Sequence, residues 1–318
     1  MDGGPQTTAD TVRTSGDANV TLSNGQLVVA PGGTFTLAGF EWGNFVGGAS
    51  ANTFTINAFS GDVSVDGSGG NDTVVVSDDK SFGLISSFQI QRTGGGTSTI
   101  ALSSVEGASL TDTGDANSTH THSIATDWTI ATTLAAGSGA DVLASTSDAA
   151  SQTLTTTAFT RAAASAITHS GVETASLTGG NAGNDINASA FGGSVTVRAG
   201  GANDTVWSGA GNDDLDGEGG NDQVNATADA DITLTTSSLT GVGTDVIAGF
   251  ETGLLTGGAG NNTLSALGAN GMFATLDGGG GNDTLIGSTG ADSLVGNAGT
   301  DRVDASANSH FTLTNTQL

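Results

Sequence analysis

The sequence of 318 residues contains no cysteine, no tyrosine and only two prolines. The absence of cysteine excludes disulfides, structural zinc sites built on thiolates and cysteine nucleophiles. No run of about 18 apolar residues occurs, so no membrane-spanning helix is expected. The first residues have neither the basic nor the apolar part of a signal peptide. These absences leave a fold that depends on neither disulfides nor a bilayer.

Positive charge is also scarce, with 6 Lys+Arg against 32 Asp+Glu and a formal net charge of −26. Lysine and glutamate, which helical domains use heavily, are both rare, and this argues against a helical fold. An acidic surface repels phosphates and anionic lipid headgroups, so we expect no nucleic acid and no membrane as partner. Most of the acids are aspartates beside glycine and asparagine, and acidic turns at regular spacing indicate a bound cation.

Internal repeats are the strongest signal in the chain. Four of the five glutamates occupy one repeated position, at Glu41, Glu106, Glu173 and Glu251, where a hydrogen-bond acceptor in a turn or ladder is favoured over a metal ligand. We predict one continuous solenoid, 1–318, of four tandem repeats (about 10–71, 72–140, 141–221 and 222–300) plus the start of a fifth (301–318). Two interpretations stay open: an excerpt of a longer protein, or a protomer that stacks head-to-tail.

A shorter spacing lies inside the repeats. Asp or Asn recurs at steps of about 18 to 20 residues, which suits one solenoid coil of two short strands and two turns. Alternation such as Val63 and Val65 is typical of strands with one buried face. The fold prediction is therefore all-β, an elongated right-handed parallel β-roll or β-helix. The later rungs of the predicted ladder are Asp185, Asp204, Asp222, Asp245, Asn262, Asp283 and Asp301.

Nine-residue strings form two blocks of three, at 199–225 and 278–304, with Asp at the sixth place and an apolar residue at the eighth. Weaker single copies occur at 67–75 and 136–144. This pattern resembles the RTX (hemolysin-type) calcium-binding nonapeptide, G-G-x-G-x-D-x-U-x, where U is apolar. The sixth-place aspartates of the blocks are Asp204, Asp213, Asp222, Asp283, Asp292 and Asp301, and those of the single copies are Asp72 and Asp141.

The resemblance implies a secreted bacterial protein that binds several Ca²⁺ ions. Oxygen-only ligands on flexible glycine turns suit this hard cation, although such turns also occur without metal. Coil length places Asp204 beside Asp222 and Asp283 beside Asp301, with Asp213 and Asp292 on the opposite edge. The candidate ligands are these aspartates with Asp185, Asp72 and Asp141, together with Gly201, Gly211, Gly220, Gly281, Gly290 and Gly299. Where Asn replaces Asp, at Asn52, Asn117 and Asn262, a side-chain ladder is favoured over an ion.

Other chemistry is weakly indicated. His120 and His122 lie near Asp115, Asn117 and Asp127, where exposed histidines in a polar turn are favoured over a transition-metal site. No catalytic triad, paired glutamates or phosphate loop occurs at a credible spacing, so we expect no enzyme activity.

Two functions follow from the repeats. The favoured one is a calcium-stabilised extracellular structural or adhesive repeat protein, such as a stalk, matrix fibre or surface-layer component. Its partners would be calcium, copies of itself or a surface glycan. The alternative is an accessory calcium-binding domain of a secreted enzyme or toxin whose catalytic part lies outside this chain. More repeats in the neighbouring sequence would favour the first, and a catalytic domain the second.

Overall fold

The computed structural model describes residues 9–94, 96–162 and 164–304, and these residues form strands and turns only, without a helix. Within these ranges nothing helical is long and apolar enough to cross a bilayer. Most strand pairs are parallel and join every second or third strand of the chain. The predicted all-β fold, a parallel β-roll, is confirmed. Of the predicted fifth repeat, only Asp301–Asp304 lie inside the described ranges.

The strands are short, mostly of three to six residues. The first seventeen are β1 Thr11–Ser15, β2 Asn19–Ser23, β3 Gln26–Ala30, β4 Gly33–Thr36, β5 Trp42–Val46, β6 Thr53–Asn57, β7 Asp62–Asp66, β8 Thr73–Asp78, β9 Ser81–Ser86, β10 Gln89–Thr93, β11 Thr97–Ser103, β12 Gly107–Asp112, β13 Thr121–Ile124, β14 Ala131–Ala135, β15 Val142–Thr146, β16 Ser151–Thr155 and β17 Ala158–Arg161. The remainder are β18 Ile167–Ser170, β19 Thr174–Thr178, β20 Asp185–Ala190, β21 Ser194–Arg198, β22 Thr205–Trp207, β23 Asp214–Asp216, β24 Gln223–Thr227, β25 Ile232–Thr235, β26 Ser238–Thr240, β27 Thr244–Ala248, β28 Thr252–Thr256, β29 Thr263–Gly268, β30 Phe273–Asp277, β31 Thr284–Ile286, β32 Ser293–Val295 and β33 Arg302–Val303.

The described chain divides into two compact units. The first comprises the described residues up to Ser147 together with Thr156–Ser176, and the second comprises Asp148–Thr155 together with those from Leu177 onward. In the first unit, sheet 1 has the spatial order β1-β5-β7-β11-β10-β9-β13-β15. Sheet 2 has the order β4-β3-β2-β6-β8-β12-β14-β18-β17.

The second unit repeats this arrangement. Sheet 3 has the order β16-β20-β22-β24-β28-β30-β32. Sheet 4 has the order β21-β23-β27-β26-β25-β29-β31-β33. In both units successive coils therefore add one strand to each of two sheets.

The core follows from the alternation of apolar and polar residues along the strands. Val63 and Val65 are buried in β7, and the intervening Ser64 is half-buried on the other face. The apolar eighth place of the nine-residue strings is buried at Val206, Leu215, Val224 and Leu285, as predicted. In the last described coil, by contrast, Leu294 is half-buried and Val303 is exposed.

Each compact unit also contains antiparallel excursions, which the nine-residue pattern did not predict. At β2-β3-β4, β9-β10-β11 and β25-β26-β27, three consecutive strands lie in one sheet and the middle strand is antiparallel to both neighbours. An ordinary coil sends consecutive strands to opposite sheets. Three strands in one sheet therefore lengthen a coil, but the chain still leaves at the same edge, since Asp72 and Glu106, on either side of β9-β10-β11, both precede strands of sheet 2.

Two buried arginines anchor strands of the first unit, one on the excursion strand β10 and one on β17, which pairs antiparallel with β18. Arg92 donates from Nη1 to the carbonyl oxygen of Phe59 and from Nη2 to that of Gly61, both at 2.6 Å. Arg161 likewise donates to the carbonyl oxygens of Ala125 at 2.6 Å and Trp128 at 2.8 Å. Burial lowers the pKa of both guanidinium groups, yet each stays charged because its usual value lies far above neutral pH.

Candidate functional site: ladders of acidic turns

The acidic turns stack as ladders, in which the backbone N–H of one turn donates to the side-chain oxygen of the next. In the first unit, Asn52 N–H donates to Asp72 Oδ1 at 2.7 Å and Asp72 N–H donates to Glu106 Oε2 at 2.7 Å. Each acceptor directly precedes a strand of sheet 2. A charged acceptor makes these hydrogen bonds strong and sets the register between coils.

The second unit contains two ladders of the same kind. Asn184 N–H donates to Asp204 Oδ1, Asp204 N–H to Asp222 Oδ1 and Asp222 N–H to Glu251 Oε2, at 2.7 to 2.8 Å. This ladder lies where the strands of sheet 3 begin. The other ladder, formed by Asn262, Asp283 and Asp301, lies where the strands of sheet 4 begin. The predicted neighbours Asp204 and Asp222, and Asp283 and Asp301, are adjacent rungs.

The structure corrects three positions of the predicted ladder. Asn184 occupies the rung assigned to Asp185, whose side chain is exposed at the start of β20. Asp245 is not the rung after Asp222, because its Oδ1 accepts from Asp213 N–H at 3.0 Å on the other sheet. The excursion β25-β26-β27 causes this difference, because it keeps the chain in sheet 4 up to Ala248 and so delays the return to sheet 3 until Glu251. The role of Asp185 as a calcium ligand stays a prediction.

The third correction concerns the second tandem repeat. The rung there is His120, whose N–H donates to Asp141 Oδ1 at 3.0 Å. Asn117, which the spacing favoured, lies three residues earlier in an exposed turn where its N–H donates to Asp115 Oδ1. The turn before β13 is longer than its counterparts, and sequence spacing alone could not place its rung.

The repeated glutamates are ladder acceptors, as predicted. Their Oε2 atoms accept the N–H groups of aspartates in the preceding turn of the ladder at 2.7 to 2.9 Å, and the pairs are Asp10–Glu41, Asp72–Glu106, Asp141–Glu173 and Asp222–Glu251. Two residues before each glutamate the backbone is left-handed, at Gly39, Ser104, Gly171 and Gly249. Before Glu106, Glu173 and Glu251 the turns are shorter than those of the nine-residue strings before Asp72 and Asp204, and the longer glutamate side chain reaches the N–H of the neighbouring turn.

The turns that carry the rungs fall into two conformations. In an open turn, the second and fourth places of the nine-residue string are both left-handed, with φ between 60° and 157°. Open turns precede Asp72, Asp141, Asp204, Asp222, Asp283 and Asp301. Their left-handed pairs are Ser68 and Gly70, Gly137 and Gly139, Gly200 and Ala202, Glu218 and Gly220, Gly279 and Gly281, and Asn297 and Gly299.

In a closed turn, neither place has a positive φ, and the second-place N–H donates to the side chain at the sixth place. The acceptor is asparagine in three closed turns, where Gly48, Gly180 and Gly258 donate to Asn52, Asn184 and Asn262 at 2.8 to 2.9 Å. It is aspartate in two others, where Gly209 donates to Asp213 at 3.1 Å and Ser288 to Asp292 at 2.6 Å.

The two conformations leave the carboxylates in different electrostatic states. In five open turns the second carboxylate oxygen is buried without a hydrogen-bond partner, namely Oδ2 of Asp72, Asp141, Asp204, Asp222 and Asp283. Burial raises the pKa of Asp72, Asp141 and Asp222, and it raises that of Asp204 to about 6. Neighbouring carboxylates add to this, such as Asp222 beside Asp204. A buried anion without a partner is costly, and a cation would relieve that cost.

The two closed-turn aspartates use both carboxylate oxygens. Asp213 accepts from Val195 N–H at Oδ1 and from Ser208 Oγ and Gly209 N–H at Oδ2. Asp292 accepts from Ala274 N–H and Ser288 Oγ at Oδ1 and from Ser288 N–H at Oδ2. Both were predicted on the edge opposite their neighbours. These carboxylates are satisfied by the protein itself.

The candidate glycines divide in the same way. Gly220, Gly281 and Gly299 are left-handed fourth-place residues of open turns, whereas Gly211 and Gly290 lie in closed turns without a positive φ. The third-place Gly201 is not left-handed either, because Gly200 and Ala202 take that conformation beside it. Successive open turns stack so closely that a Cβ at Gly220 would lie 1.7 Å from the carbonyl oxygen of Ala202.

The open turns have the chemistry that calcium requires. An added Cβ at Gly217 would lie 2.2 Å from the carbonyl oxygen of Gly249 and 2.8 Å from Asp222 Oδ2. At Gly67 it would lie 1.9 Å from the Ser104 carbonyl oxygen and 2.5 Å from Asp72 Oδ2. The first-place glycine thus lets a carbonyl oxygen and the unpartnered carboxylate oxygen approach each other. Oxygen ligands of this mixed kind suit a hard divalent cation.

The histidines are more buried than predicted. His122 is 1% exposed, and it lies with Asp112 and Asp141 so that one ligand-type atom of each falls within 4.8 Å of the others. Its Nδ1 accepts Phe82 N–H at 3.3 Å, and burial lowers its pKa to about 4. A neutral ring that accepts at Nδ1 carries its hydrogen on Nε2, which disfavours a metal there. His120 instead contacts Asp112 and Asp79, not Asp115 or Asp127.

Comparison with known families agrees with this geometry. The model of the RTX calcium-binding nonapeptide repeat matches in four copies, at residues 55–79, 196–232, 254–270 and 277–309. The matched ranges contain Asp72 and all six aspartates of the two triple blocks, but not Asp141. A search of the curated proteins found no match.

Proposed function

We propose that this chain, which contains four matches to the RTX calcium-binding nonapeptide repeat, is a non-catalytic structural or adhesive element of a secreted bacterial protein. In this role calcium stiffens the solenoid outside the cell, where the ion is abundant. RTX repeats typically occur in secreted bacterial proteins, and the absence of cysteine suits a fold stabilised by ions.

The observation that carries the proposal is the set of unpartnered Oδ2 atoms. Five buried carboxylates on stacked coils each have one oxygen bound to a backbone N–H and one without a hydrogen-bond partner. When bound, calcium supplies the positive charge that these oxygens lack. The residues that would hold it are Asp72, Asp141, Asp204, Asp222 and Asp283 with neighbouring backbone carbonyl groups. Asp301 occupies an equivalent open turn but is only half-buried.

This placement favours cohesion over catalysis. The ladder oxygens lie between consecutive coils, so an ion bound there links one coil to the next. Because ion sites absent in the unfolded chain add their binding free energy to folding, occupancy should set the stability of the fold. Stability that depends on calcium would suit a fibre or stalk that assembles only after export.

Circular dichroism and thermal unfolding of the calcium-free and calcium-loaded chain test the proposal. We expect calcium at millimolar concentration, the range of extracellular calcium modules, to increase strand content and to raise the melting temperature. Magnesium at the same concentration is the control and should do much less, since it demands a stricter octahedral geometry. An unchanged spectrum and melting temperature with calcium would refute it.

We also propose that the chain contacts copies of itself, or a further repeat of a longer chain. β11, β18 and β27 each pair with an earlier parallel strand of their sheet, but β4 pairs only with β3 among the described strands. Phe35 on β4 is 40% exposed. Light scattering with calcium should reveal chains that add head-to-tail, and a strictly monomeric protein at high concentration would argue against self-association.

A further inference from the structure

A cleft of about 530 Å³ opens on the first unit, away from the unpartnered ladder oxygens. Turns from three consecutive coils line it, at Asn24, at Glu41 and Trp42, and at Ser60 and Asp62, and β11 adds Thr97. Most of these side chains are polar or acidic. The aromatic residues of the lining are Phe40, which is half-buried, and Trp42, which is 43% exposed and so presents a large aromatic surface to solvent.

Trp42 has no role in the repeat that explains its exposure. It follows the ladder glutamate Glu41, and the residues in the same place of the other repeats are Gly107, Thr174 and Thr252. The coil therefore forms without an aromatic side chain here. The backbone of Trp42 is fixed, because its N–H donates to the Asp10 carbonyl at 3.0 Å and Glu41 Oε2 accepts from Asp10 N–H at 2.8 Å.

The polar lining is held in place by hydrogen bonds that leave other polar atoms available. Asn24 Oδ1 accepts from Ser60 N–H at 2.9 Å and from Ser60 Oγ at 3.1 Å, and its Nδ2 amide forms no hydrogen bond within the described residues. Asp62 Oδ1 accepts from Thr99 N–H at 2.6 Å, and in the described part of the chain its Oδ2 accepts no hydrogen bond. Trp42 and Asp62 are direct partners in the register of β5 and β7, so their side chains project from the same face.

The wall of the cleft is preorganised. The buried guanidinium of Arg92 binds the carbonyl oxygens of Phe59 and Gly61, on either side of Ser60. A wall fixed before binding reduces the ordering cost that a ligand must overcome.

We propose that this cleft binds a pyranose oligosaccharide that carries no acidic group. The polarised C–H groups on one face of a pyranose match the negative face of an indole ring. Adjacent hydroxyl groups match an amide donor and a carboxylate acceptor held side by side. Glu41 and Asp62 repel phosphate, sulfate and uronic acids, and the cleft is too polar for an apolar ligand.

Calorimetric titration of the calcium-loaded chain with cellohexaose, N-acetylchitohexaose and mannohexaose tests the proposal, with oligogalacturonate as the acidic arm. We expect at least one neutral sugar to bind with millimolar or better affinity, oligogalacturonate not to bind, and Trp42→Ala to weaken binding about tenfold or more. Phe88→Ala removes a more exposed aromatic of the same unit, at 70% exposure, that does not line the cleft. It should bind as the parent does.

A second measurement does not depend on the stability of the alanine variant. The sugar should shift the indole N–H resonance of Trp42, which Trp42→Phe identifies by its loss. The proposal is overturned if no neutral sugar binds at about 10 mM, if Trp42→Ala binds as well as Phe88→Ala, or if another indole shifts instead. Binding of tetramethylammonium in place of every sugar would also overturn it, because the cleft would then be a cation–π site.

Discussion

Open and closed turns in one ladder differ in the backbone conformation at the second and fourth places of the string, which is left-handed in open turns alone. Asn52 and Asp72 are successive rungs, and the backbone N–H of each donates to the side chain of the next rung. Before Asn52 the second-place Gly48 donates its N–H to the rung side chain, whereas before Asp72 the left-handed Ser68 donates instead to Asp66 at 3.0 Å. Because Ser68 N–H does not donate to the rung side chain, Asp72 Oδ2 is buried without a hydrogen-bond partner.

The difference shows how the chain separates two uses of one motif. A closed turn satisfies its rung with protein hydrogen bonds, so it needs no ion and tolerates asparagine. In an open turn the second-place N–H does not donate to the rung, and backbone carbonyl oxygens lie near the rung carboxylate. The rung carboxylate therefore requires positive charge. Asp213 and Asp292 show that an aspartate at the sixth place is not sufficient, because in closed turns both of their oxygens are bound.

The largest expected effect comes from removing one charge in each conformation. Asp222→Asn, in an open turn, should lose a bound calcium and about 2–3 kcal/mol of stability at calcium concentrations near 100 times the Kd. Asp213→Asn should keep the ion count but lose about 1–3 kcal/mol, because an amide has one oxygen and cannot accept both Val195 N–H and Gly209 N–H. Native mass spectrometry gives the ion count and urea unfolding in calcium the stability. Loss of an ion from Asp213→Asn, or no loss of an ion from Asp222→Asn, would refute the distinction.

The next effect is a reversal of the pH dependence by calcium. Burial raises the pKa of Asp204 from 3.8 to about 6, so its contribution to the stability of the calcium-free chain is fully present below 3.8 and is lost as the pH rises through about 6. Asp72, Asp141 and Asp222 shift in the same direction. Melting temperatures in calcium-depleted buffer should therefore fall from about pH 5 to about pH 7.5.

With saturating calcium the trend should be the opposite, because protons then compete with the ion for the same carboxylates. Buffers depleted of calcium on a chelating resin are required, since soluble chelators bind calcium poorly in acid. Parallel pH trends with and without calcium would contradict the assignment of the ions to these carboxylates.

A smaller effect is expected at the left-handed place of an open turn. Glu218 has φ 60°, a conformation that costs a residue with a Cβ about 1 kcal/mol. Glu218→Gly should relieve that cost and raise the urea midpoint in calcium. Glu218→Ala is the matched control, because it removes the same carboxylate and keeps the Cβ. An equal gain in both variants would show that charge, not backbone conformation, matters at this place.

The smallest effect should come from the ladder glutamates. Glu251→Gln keeps an oxygen acceptor for Asp222 N–H, which Glu251 accepts at 2.8 Å, so we expect a loss below about 0.5 kcal/mol and no change in the number of bound ions. Glu251→Ala, which removes the acceptor, should cost more. A lost ion in the glutamine variant would instead make Glu251 a calcium ligand.

Much of the site was predictable because the motif is local. The sixth-place aspartates follow their glycines at fixed distance, so the rungs Asp204, Asp222, Asp283 and Asp301 and their pairing could be assigned from coil length. Asp185 was misassigned because Asn184 and Asp185 are adjacent and either suits the spacing. Asn117 was misassigned because the turn before His120 is longer than the others. The buried arginines Arg92 and Arg161 had no sequence signal beyond being rare cations in an acidic chain.

The sequence by itself determined the all-β fold, the coil length, the tandem repeats and the calcium chemistry, because each depends on residues close together in the chain. Only the tertiary structure decided which turns are open and on which edge each ladder lies. Both depend on contacts between coils. A second-place N–H can reach either the carboxylate directly before the string, as Ser68 and Glu218 do, or its own rung, and the stacking of neighbouring turns selects between them. Likewise, the excursion β25-β26-β27 places Asp245 on sheet 4, because its outer strands pair with β29 and β23 of that sheet through hydrogen bonds between residues far apart in the chain.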